Sequence, residues 1–415
     1  MSLKKVTLKN FRTCHDVELN DLGHLTVLMG RNGVGKTTIL QGIEWMARTA
    51  STQQDDFPFR ESTDFLGEME FSIAGVGYRY HIELLASFEF YEKLDEHLKV
   101  KEKLEYLDSS MTWHTVLSRS GQKVFGSNGE PLAEIHEYMP MLVAIAALIP
   151  TSHSHTKNNI LPVLGYLRSF KYYPLDETAD VYRLVSRVDY LQWLAKTTES
   201  SNPESSVIMR VLNLYLDRRD DFDELEQLLG ANGLGVINSI NVESLEMASS
   251  SPSSSSRHFG RAKSIFWPTS SLDYRTCYFI DFLPGEGWEG VIDLPKLTYN
   301  NLSAGTRRII RILVSFFYDR NSLFLFEQPE DAIHPGLLRK LIDLLRGYDD
   351  KGQLIMTSHS SDLFDVLKPE EVRLVTMESG ATQVRALSEK ELDSAKRYIN
   401  EGGSLSDFLE MLEDD

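Results

Sequence analysis

The sequence predicts an α/β protein whose mixed sheet is built from both sequence ends, plus a mainly helical insertion between them. A strand, a glycine-rich loop and a helix follow one another within residues 1–50. A helix, strand, helix, strand order recurs within residues 303–359. Strands and helices that alternate at both ends favour one shared sheet, with the segment of different texture inserted between them.

The front part, residues 1–86, reads as short strands around one helix. LKKVTLKNF alternates polar and apolar side chains, and HLTVLMG is a buried run that ends in glycine. Helical spacing of apolar side chains begins at Lys36 and continues to Ala50. Residues 67–85 contain two strand-like runs around Gly75 and Gly77, which predicts a hairpin.

The middle part, residues 87–268, is predicted to be the mainly helical insertion. EKLDEHLKVKEKLEYL (92–107) and ESSVIMRVLNLYLDRRDDFDELEQLL (204–229) are charged stretches that we interpret as helices. A serine-rich loop is predicted at residues 248–256. The helices lack a sustained heptad, which argues against a long coiled coil.

The back part, residues 269–388, is predicted to complete the sheet, and residues 389–415 form a helical tail. LFLF (323–326) and QLIMTSH (353–359) read as buried strands, each preceded by a helical stretch. In the tail, the apolar stripe of Leu405, Phe408, Leu409 and Leu412 predicts a helix that docks on its own domain, with partner binding as the alternative.

Composition excludes several classes of protein. The 415 residues include 43 Lys and Arg against 61 Asp and Glu, a net charge of −18, which does not support nucleic-acid binding by charge alone. The two cysteines provide neither a disulfide framework nor a metal-ligand set. The longest apolar run, MLVAIAALIP, is too short to span a membrane, and the N-terminus lacks the apolar core of a signal peptide. These features predict a cytoplasmic protein without membrane contact.

GRNGVGKTT fits the phosphate-loop pattern G-x-x-x-x-G-K-[ST] and lies between a predicted strand and a predicted helix. Its glycines allow backbone N–H groups to surround phosphate oxygens, and the helix N-terminus adds a favourable dipole. Lys36 is predicted to reach the β- and γ-phosphates, and Thr37 to place its hydroxyl on Mg²⁺. The predicted nucleotide-binding residues of this loop are Gly30, Arg31, Asn32, Gly33, Val34, Gly35, Lys36, Thr37 and Thr38.

Four further sequence pieces follow in a fixed order near the C-terminus. They are LSAGTRRIIRIL from Leu302, LFLFEQPE from Leu323, DAIHP from Asp331, and LIMTSH, which ends at His359. Each is weak alone, since a Leu-Ser-x-Gly run is usually a helix cap and a histidine at a strand end is usually an ordinary surface residue. Their joint order behind a phosphate loop indicates one nucleotide site.

Together these residues resemble the ABC-type ATPase heads of the group that contains SMC, RecF and OLD (overcoming-lysogenisation-defect) proteins. The opening LKNFRTCHDVEL with GRNGVGKTT is similar to that group's N-terminus, and EQPEDAIHP resembles its EEPE…HP metal strand. The resemblance covers about residues 1–85 and 270–385. It implies an ABC-ATPase-like head that takes ATP and Mg²⁺, in a homodimer or higher even-numbered assembly in which two heads enclose the nucleotide.

The resemblance also implies roles for individual residues. Ser303 and Gly305 would bind the γ-phosphate held by the partner head, and His359 would contact the γ-phosphate of its own head. Asp331 matches the loop that crosses between subunits. The remaining implied positions are Arg12 toward the nucleotide, Thr37 and Glu327 in the Mg²⁺ shell, and Gln53 or Gln54 as the glutamine that senses the metal, of which Gln54 is preferred.

Gln328 stands where the family has the glutamate that polarises the attacking water. A glutamine carbonyl accepts a hydrogen bond but has no useful basicity near neutral pH, so hydrolysis is expected to be impaired while nucleotide binding persists. Three interpretations remain open: an engineered substitution that traps the ATP-bound dimer, a natural switch that hydrolyses slowly or uses another base, and transfer of the base role to Glu330 or Asp331.

The resemblance further implies an ATPase that senses invasion and controls a separate effector, a nuclease or a toxin, in bacterial anti-phage defence of the Septu-like or PARIS-like kind. The sequence contains no second catalytic motif, which places the effector activity in another protein. The alternatives are a RecF- or SMC-like repair ATPase that clamps duplex DNA, and an ATP-dependent scaffold without turnover.

Overall fold

The computed structural model describes residues 1–52, 64–86, 98–136, 139–148, 154–174, 184–199, 206–248, 274–285, 296–348 and 352–414. Within these ranges the chain forms two compact units. One unit comprises Met1–Glu177 together with Asp319–Asp415, and the other comprises Thr178–Tyr318.

Both units contain strands and helices. The strands are β1 (Ser2–Phe11), β2 (Cys14–Leu19), β3 (Leu25–Met29), β4 (Phe65–Ile73), β5 (Val76–Ala86), β6 (Leu98–Leu107), β7 (Trp113–Ser120), β8 (Lys123–Phe125), β9 (Pro131–Glu134), β10 (Phe170–Tyr173), β11 (Leu184–Ser186), β12 (Ile237–Ala248), β13 (Tyr274–Pro284), β14 (Ser322–Glu327), β15 (Gly352–Ser358), β16 (Val372–Glu378) and β17 (Ala381–Ala386). The helices are α1 (Lys36–Ser51), α2 (Met141–Leu148), α3 (Ser154–Arg168), α4 (Arg187–Glu199), α5 (Val207–Asp217), α6 (Arg219–Leu229), α7 (Ala304–Tyr318), α8 (Pro335–Arg346), α9 (Ser361–Phe364), α10 (Glu389–Asn400) and α11 (Leu405–Asp414), with 3₁₀ turns at Tyr299–Asn301 and Pro369–Glu371.

The first unit contains an antiparallel sheet of strand order β2-β1-β4-β5-β6-β7-β8-β9. Strand β4 alternates between buried and half-buried residues along its whole length, as expected for a strand with one face on the core. The predicted hairpin is confirmed: β4 and β5 are joined by Ala74 and Gly75, which both have positive φ, and Ile73 pairs with Val76. Two positive φ angles are what a tight two-residue hairpin turn requires.

The same unit contains a mixed sheet of order β10-β14-β15-β3-β16-β17. Strands β10, β14, β15, β3 and β16 run parallel, and β17 pairs antiparallel with β16. Strands β3 and β14 are buried along their entire length, which is why they read as unbroken apolar runs. The predicted α/β class and the mixed sheet built from both sequence ends are confirmed. One strand, β15, separates β3 from β14.

Helix α1 lies between the two sheets of this unit. It contacts β1 of the antiparallel sheet and β10, β14 and β15 of the mixed sheet. Ile39, Leu40 and Ile43 are fully buried, so three side chains at helical spacing enter one shared core. The helix that begins at the phosphate loop is thereby fixed on both sides.

Gln353 joins the two sheets at their other end. Its buried side chain accepts from the backbone N–H of Leu3 at 2.7 Å and donates to the carbonyls of Leu3 at 2.9 Å and Gly23 at 2.7 Å. All three bonds connect residues that are more than 300 positions apart in sequence. The N-terminal strand is thus held by the C-terminal half of the chain.

The second unit combines a three-stranded antiparallel sheet, of order β11-β13-β12, with α4, α5, α6 and α7. Arg218 donates to the carbonyls of Phe317 at 2.7 Å and Tyr318 at 2.8 Å, which caps the C-terminus of α7 with a cation. Arg210 donates to Ser315 at 3.1 Å from α5. Helix α7 is therefore fixed by the helices of its own unit.

The structure corrects the interpretation of residues 92–107 as helix. Residues 98–107 form β6, paired with β5 and β7. Val100, Glu102 and Leu104 are buried at alternate positions, but Glu102 is polar, so the apolar period of two is hidden in the sequence. Strands β6 to β9 extend the antiparallel sheet, while the helical stretch expected at residues 204–229 appears as α5 and α6.

Three further expectations concern the rest of the chain. The predicted tail consists of α10 and α11. Of its predicted stripe, Leu405, Phe408 and Leu409 are buried, whereas Leu412 is half-buried. Most of the predicted serine-rich loop, residues 249–256, lies outside the described residues. Among the helices that are described, none has both the length and the apolar character needed to cross a membrane.

Candidate functional site

The phosphate loop connects the carboxyl end of β3 to the first turn of α1. Gly35 precedes the helix with φ 103°, in the left-handed region. A Cβ on Gly35 would lie 2.1 Å from the Thr382 hydroxyl, and one on Gly30 would lie 2.2 Å from the Val375 carbonyl oxygen. Glycine is therefore required at both positions because the β16–β17 hairpin passes directly beside the loop.

Thr382 anchors the loop to this hairpin, a contact that sequence reasoning did not find. Its hydroxyl is fully buried and lies 2.9 Å from the Val34 carbonyl oxygen and 2.9 Å from the Thr13 hydroxyl. Its backbone N–H donates to the Thr13 carbonyl at 2.8 Å. Thr382 therefore links β17 to the phosphate loop and to the turn between β1 and β2.

Lys36 and Thr37 occupy different environments at the start of α1. Lys36 is 6% exposed, and its ammonium donates to the carbonyls of Gly30 at 2.6 Å and Arg31 at 2.9 Å. Thr37 is exposed. The lysine side chain thus lies along the interior of the loop, while the threonine hydroxyl is accessible to a bound ion.

Glu327 is the last residue of β14 and is 9% exposed. It pairs with Thr357 of β15, which pairs with Leu28 of β3, so the acid lies at the same level as the end of the phosphate-loop strand. Neighbouring strands are about 4.8 Å apart, which places the two backbones roughly 10 Å from each other. Side chains at this separation can share one metal–phosphate group.

Gln328 and His359 are in direct contact. Gln328 has φ 42°, and its backbone N–H donates to the Thr357 carbonyl at 3.1 Å. Its side-chain Nε2 lies 2.8 Å from Nδ1 of His359, the pairing of an amide donor with an unprotonated ring nitrogen. The two residues that the resemblance places around the γ-phosphate are therefore brought together.

Glu330 is 7% exposed, and its carboxyl group accepts from the Ser358 hydroxyl at 2.6 Å. Burial raises the pKa of Glu330 above its ordinary value, with the Ser358 bond acting in the opposite direction. Asp331 and His334 are exposed on the following turn. The Ser358 bond connects Glu330 to the end of β15, beside His359, and the transfer of the base role to Glu330 stays a prediction.

Ser303 and Gly305 begin α7, in the second unit. Ser303 is exposed and its hydroxyl accepts from the backbone N–H of Thr306 at 3.1 Å, which makes it a helix cap. Gly305 is half-buried. Their predicted role toward the nucleotide of a partner head stays a prediction.

Arg12, at the turn between β1 and β2, is exposed, and its guanidinium donates to the side chain of Gln41 on α1. Gln41 in turn donates to the hydroxyl of Tyr172 on β10 at 3.2 Å. Sequence reasoning missed Gln41 and Tyr172, because neither belongs to a recognisable motif. Gln53 and Gln54, the predicted metal-sensing residues, lie outside the described residues, and within the described ranges no cluster of three or more His, Cys, Asp or Glu forms a metal site.

Two family descriptions match the chain. Residues 1–114 match "AAA ATPase domain", and residues 187–365 match "AAA domain, putative AbiEii toxin, Type IV TA system". Two segments of the chain are thus similar to AAA-type ATPase domains. The first segment includes the whole phosphate loop, and the second includes Ser303, Glu327, Gln328 and His359.

Curated relatives are similar over short stretches. RecF of Streptococcus gordonii is 36% identical over 78 residues, 18% of this chain and 20% of that protein. OLD nuclease of Thermus scotoductus is 52% identical over 42 residues, 10% of this chain and 8% of that protein. The uncharacterized protein MJECL44 of Methanocaldococcus jannaschii is 31% identical over 101 residues, 24% of this chain and 29% of that protein. The matched stretches thus span less than a third of these relatives.

Solved structures give a general likeness. The SMC head domain from Thermotoga maritima has a TM-score of 0.41 and 14% identity, covering 94% of this chain and 100% of that one. The Smc head domain from Pyrococcus furiosus, solved with the C-terminal domain of ScpA, has a TM-score of 0.42 and 11% identity, covering 96% and 98%. A likeness of this size identifies no function. The family descriptions support an AAA-type ATPase domain, and the curated relatives add similarity to RecF and to an OLD nuclease over short stretches.

Proposed function

We propose that this chain is an ATP-dependent switch, which binds ATP with Mg²⁺, closes as a dimer around the nucleotide and controls a separate effector protein in anti-phage defence. The observation that carries the ATP site is the position of the phosphate loop and Glu327 on one edge of the mixed sheet. Open α/β sheets bind ligands at the carboxyl ends of their parallel strands. The matched description that names a putative AbiEii toxin supports a place in a toxin or defence system.

The loop residues explain how ATP would be held. The backbone N–H groups of residues 33–38 and the N-terminus of α1 provide positive potential for the phosphates. Lys36 would exchange its bonds to the carbonyls of Gly30 and Arg31 for bonds to phosphate oxygens. This exchange keeps the buried ammonium hydrogen-bonded in both states, so the loop is stable before and after binding.

A metal ion fits the same edge of the sheet. The accessible hydroxyl of Thr37 and the carboxylate of Glu327 are oxygen ligands of the kind that Mg²⁺ takes together with phosphate and water. When bound, the ion neutralises negative charge on the β- and γ-phosphates. Gln328 and His359, joined by their 2.8 Å contact, would orient the attacking water without removing its proton.

The Lys36→Ala variant tests the ATP site. It removes the charge that faces the phosphates, so we expect ATP affinity to fall by about 100-fold, as for loss of a charge-assisted bond. Equilibrium titration with a fluorescent ATP derivative measures this, with Lys4→Ala, on the first strand, as a control of equal charge change. If wild type bound ATP no more tightly than Lys36→Ala does, the proposed ATP site would be wrong.

A second candidate function is a RecF-like ATPase that clamps duplex DNA, and the similarity to RecF over 78 residues favours it. The two functions differ in their partners. The defence function predicts stoichiometric co-purification with a protein encoded beside this chain and no cleavage of DNA or RNA by the chain alone with Mg²⁺. The repair function predicts ATP-dependent binding of duplex DNA whose affinity falls steeply with salt, because phosphate contacts release counterions.

A further inference from the structure

The side chain of Thr382 lies where the phosphate loop, the turn after β1 and the β16–β17 hairpin meet. It is fully buried, and its hydroxyl donates to the Val34 carbonyl at 2.9 Å. The Thr13 hydroxyl lies 2.9 Å from the same oxygen. Val34 and Thr382 are 348 positions apart in sequence, so a distant part of the chain contacts the backbone of the loop.

The hydrogen bond from Thr382 fixes the orientation of the peptide group between Val34 and Gly35. A trans peptide is planar, with its C=O and N–H on opposite sides of the C–N bond. Because the Val34 carbonyl faces the hairpin, the N–H of Gly35 faces away from it. Backbone N–H groups of a phosphate loop surround the phosphate oxygens. The hydroxyl is thus placed to orient one phosphate-binding donor from outside the loop.

The spacing at Gly35 shows how closely the hairpin approaches the loop. A Cβ on Gly35 would lie 2.1 Å from the Thr382 hydroxyl oxygen and 3.0 Å from the Thr13 hydroxyl oxygen. No side chain at this position fits between the loop and the two threonines. Steric contact therefore blocks movement of the loop toward the hairpin, and the hydrogen bond to Val34 opposes movement away from it.

Thr382 also holds the turn that carries Arg12. Its backbone N–H donates to the Thr13 carbonyl at 2.8 Å, and the same carbonyl accepts from the backbone N–H of His15 at 3.1 Å. Arg12 has φ 54°, an uncommon conformation that persists only where the surrounding contacts maintain it. One threonine thus contacts both the phosphate loop and the turn beside it.

We propose that Thr382 is a positioning residue for ATP, which acts through the Val34–Gly35 peptide and links the loop to the turn at Thr13. The inference rests on the proposed ATP site. Without the hydroxyl, the Val34 carbonyl loses its hydrogen bond from the hairpin, and the peptide group is free to turn. The apparent affinity for a ligand falls in proportion to the fraction of molecules that are competent to bind it.

The Thr382→Val variant tests the proposal, because it replaces the hydroxyl by a methyl group of similar size. We expect the affinity for a fluorescent ATP derivative to fall about 10-fold, the effect of losing one hydrogen bond to a buried group. Thr382→Ser keeps the hydroxyl and should bind within about twofold of wild type.

Urea-induced unfolding of both variants without ATP separates positioning from a merely structural role. Serine lacks a buried methyl group and valine lacks the hydroxyl, so both variants should be less stable than wild type. Only Thr382→Val should lose ATP affinity. A purely structural threonine would instead give losses of affinity that follow the losses of stability.

Thr376→Val is the matched control, since it makes the same substitution at an exposed position of the same hairpin. It should keep the wild-type affinity. The proposal is overturned if Thr382→Val binds ATP as tightly as wild type, if Thr382→Ser loses as much affinity as Thr382→Val, or if Thr376→Val does so. Wild type that binds ATP no better than Thr382→Val refutes this inference alone, whereas wild type that binds no ATP refutes the proposed function as well.

The link to Thr13 has its own readout. Thr13→Val and Thr382→Val, separately and together, form a double-mutant cycle for ATP affinity. Residues in one hydrogen-bond network show combined effects that differ from the sum of the single effects. We expect the double variant to lose little more affinity than Thr382→Val, because Thr13 acts on the loop through the Thr382 hydroxyl. Additive losses would show that the two threonines act separately, which contradicts the proposed link.

Discussion

The Gln328→Glu variant should hydrolyse ATP about 10²–10⁴-fold faster than the chain described above, if the position is that of the water-activating base. A carboxylate takes a proton from water at neutral pH, whereas the amide of Gln328 can only orient the water. The change preserves side-chain length, so the contact with His359 at 2.8 Å can be rebuilt with the ring as donor and the carboxylate as acceptor. Steady-state phosphate release under saturating ATP measures the effect.

Two variants make this experiment specific. Glu330→Gln tests whether the buried acid beside Ser358 carries the proton instead, and we expect turnover to be unaffected apart from any loss of stability. Gln328→Ala should not exceed the turnover of wild type, because it provides neither a base nor a hydrogen bond. If Gln328→Glu hydrolyses ATP as slowly as the unchanged protein, the water-activating position has been assigned to the wrong residue.

Arg119→Met should destabilise the first unit by about 3–5 kcal/mol, the typical cost of leaving one member of a buried ion pair without its partner. Glu102 and Arg119 are 2% and 4% exposed, and they face each other on β6 and β7 at 2.8 Å. Arg119 also donates to the carbonyls of Gly121 and Met139, both at 2.7 Å. Glu102 accepts from the Tyr80 hydroxyl at 2.7 Å and from the backbone N–H of Met141, at the start of α2.

Urea-induced unfolding followed by circular dichroism measures this loss. The double variant Glu102→Gln with Arg119→Met should recover part of it, because a neutral amide can still accept from Tyr80 without a buried charge. Lys101→Met is the control: its ion pair with Glu83, at 2.9 Å, lies on the exposed side of the same strand and should contribute less than about 1 kcal/mol. Equal destabilisation by Lys101→Met and Arg119→Met would contradict a special role for the buried pair.

Much of the candidate site was accessible from sequence, since its main motifs are local. GRNGVGKTT specifies its own backbone, because glycines, a following helix and one lysine are sufficient to build a phosphate loop. Strands β3, β14 and β15 are buried on both faces, so they appear as apolar runs and predict a parallel sheet. The pairing of β10 with β14 was beyond sequence reasoning, because FKYY carries too short a pattern to show its partner.

The error at β6 has a related physical cause. LKVKEKLEYL alternates, but Glu102 replaces an apolar residue on the buried face, and a charged stretch of this length is also typical of an exposed helix. What makes Glu102 acceptable inside the protein is Arg119, which lies 17 positions further on. A buried acid is predictable only when its partner is known, since an isolated charge would be excluded from the core.

By itself, the sequence determined that this chain has a phosphate loop, an acid at the end of a buried strand, and an α/β sheet shared between its two ends. These features depend on residue type and short-range order, which the chain carries locally. Only the tertiary structure decided that Thr382 anchors the loop, that β15 separates β3 from β14, and that Gln41 lies between Arg12 and Tyr172. Such contacts join residues that are distant in sequence, and their partners are chosen by strand pairing and by the need to satisfy buried polar groups.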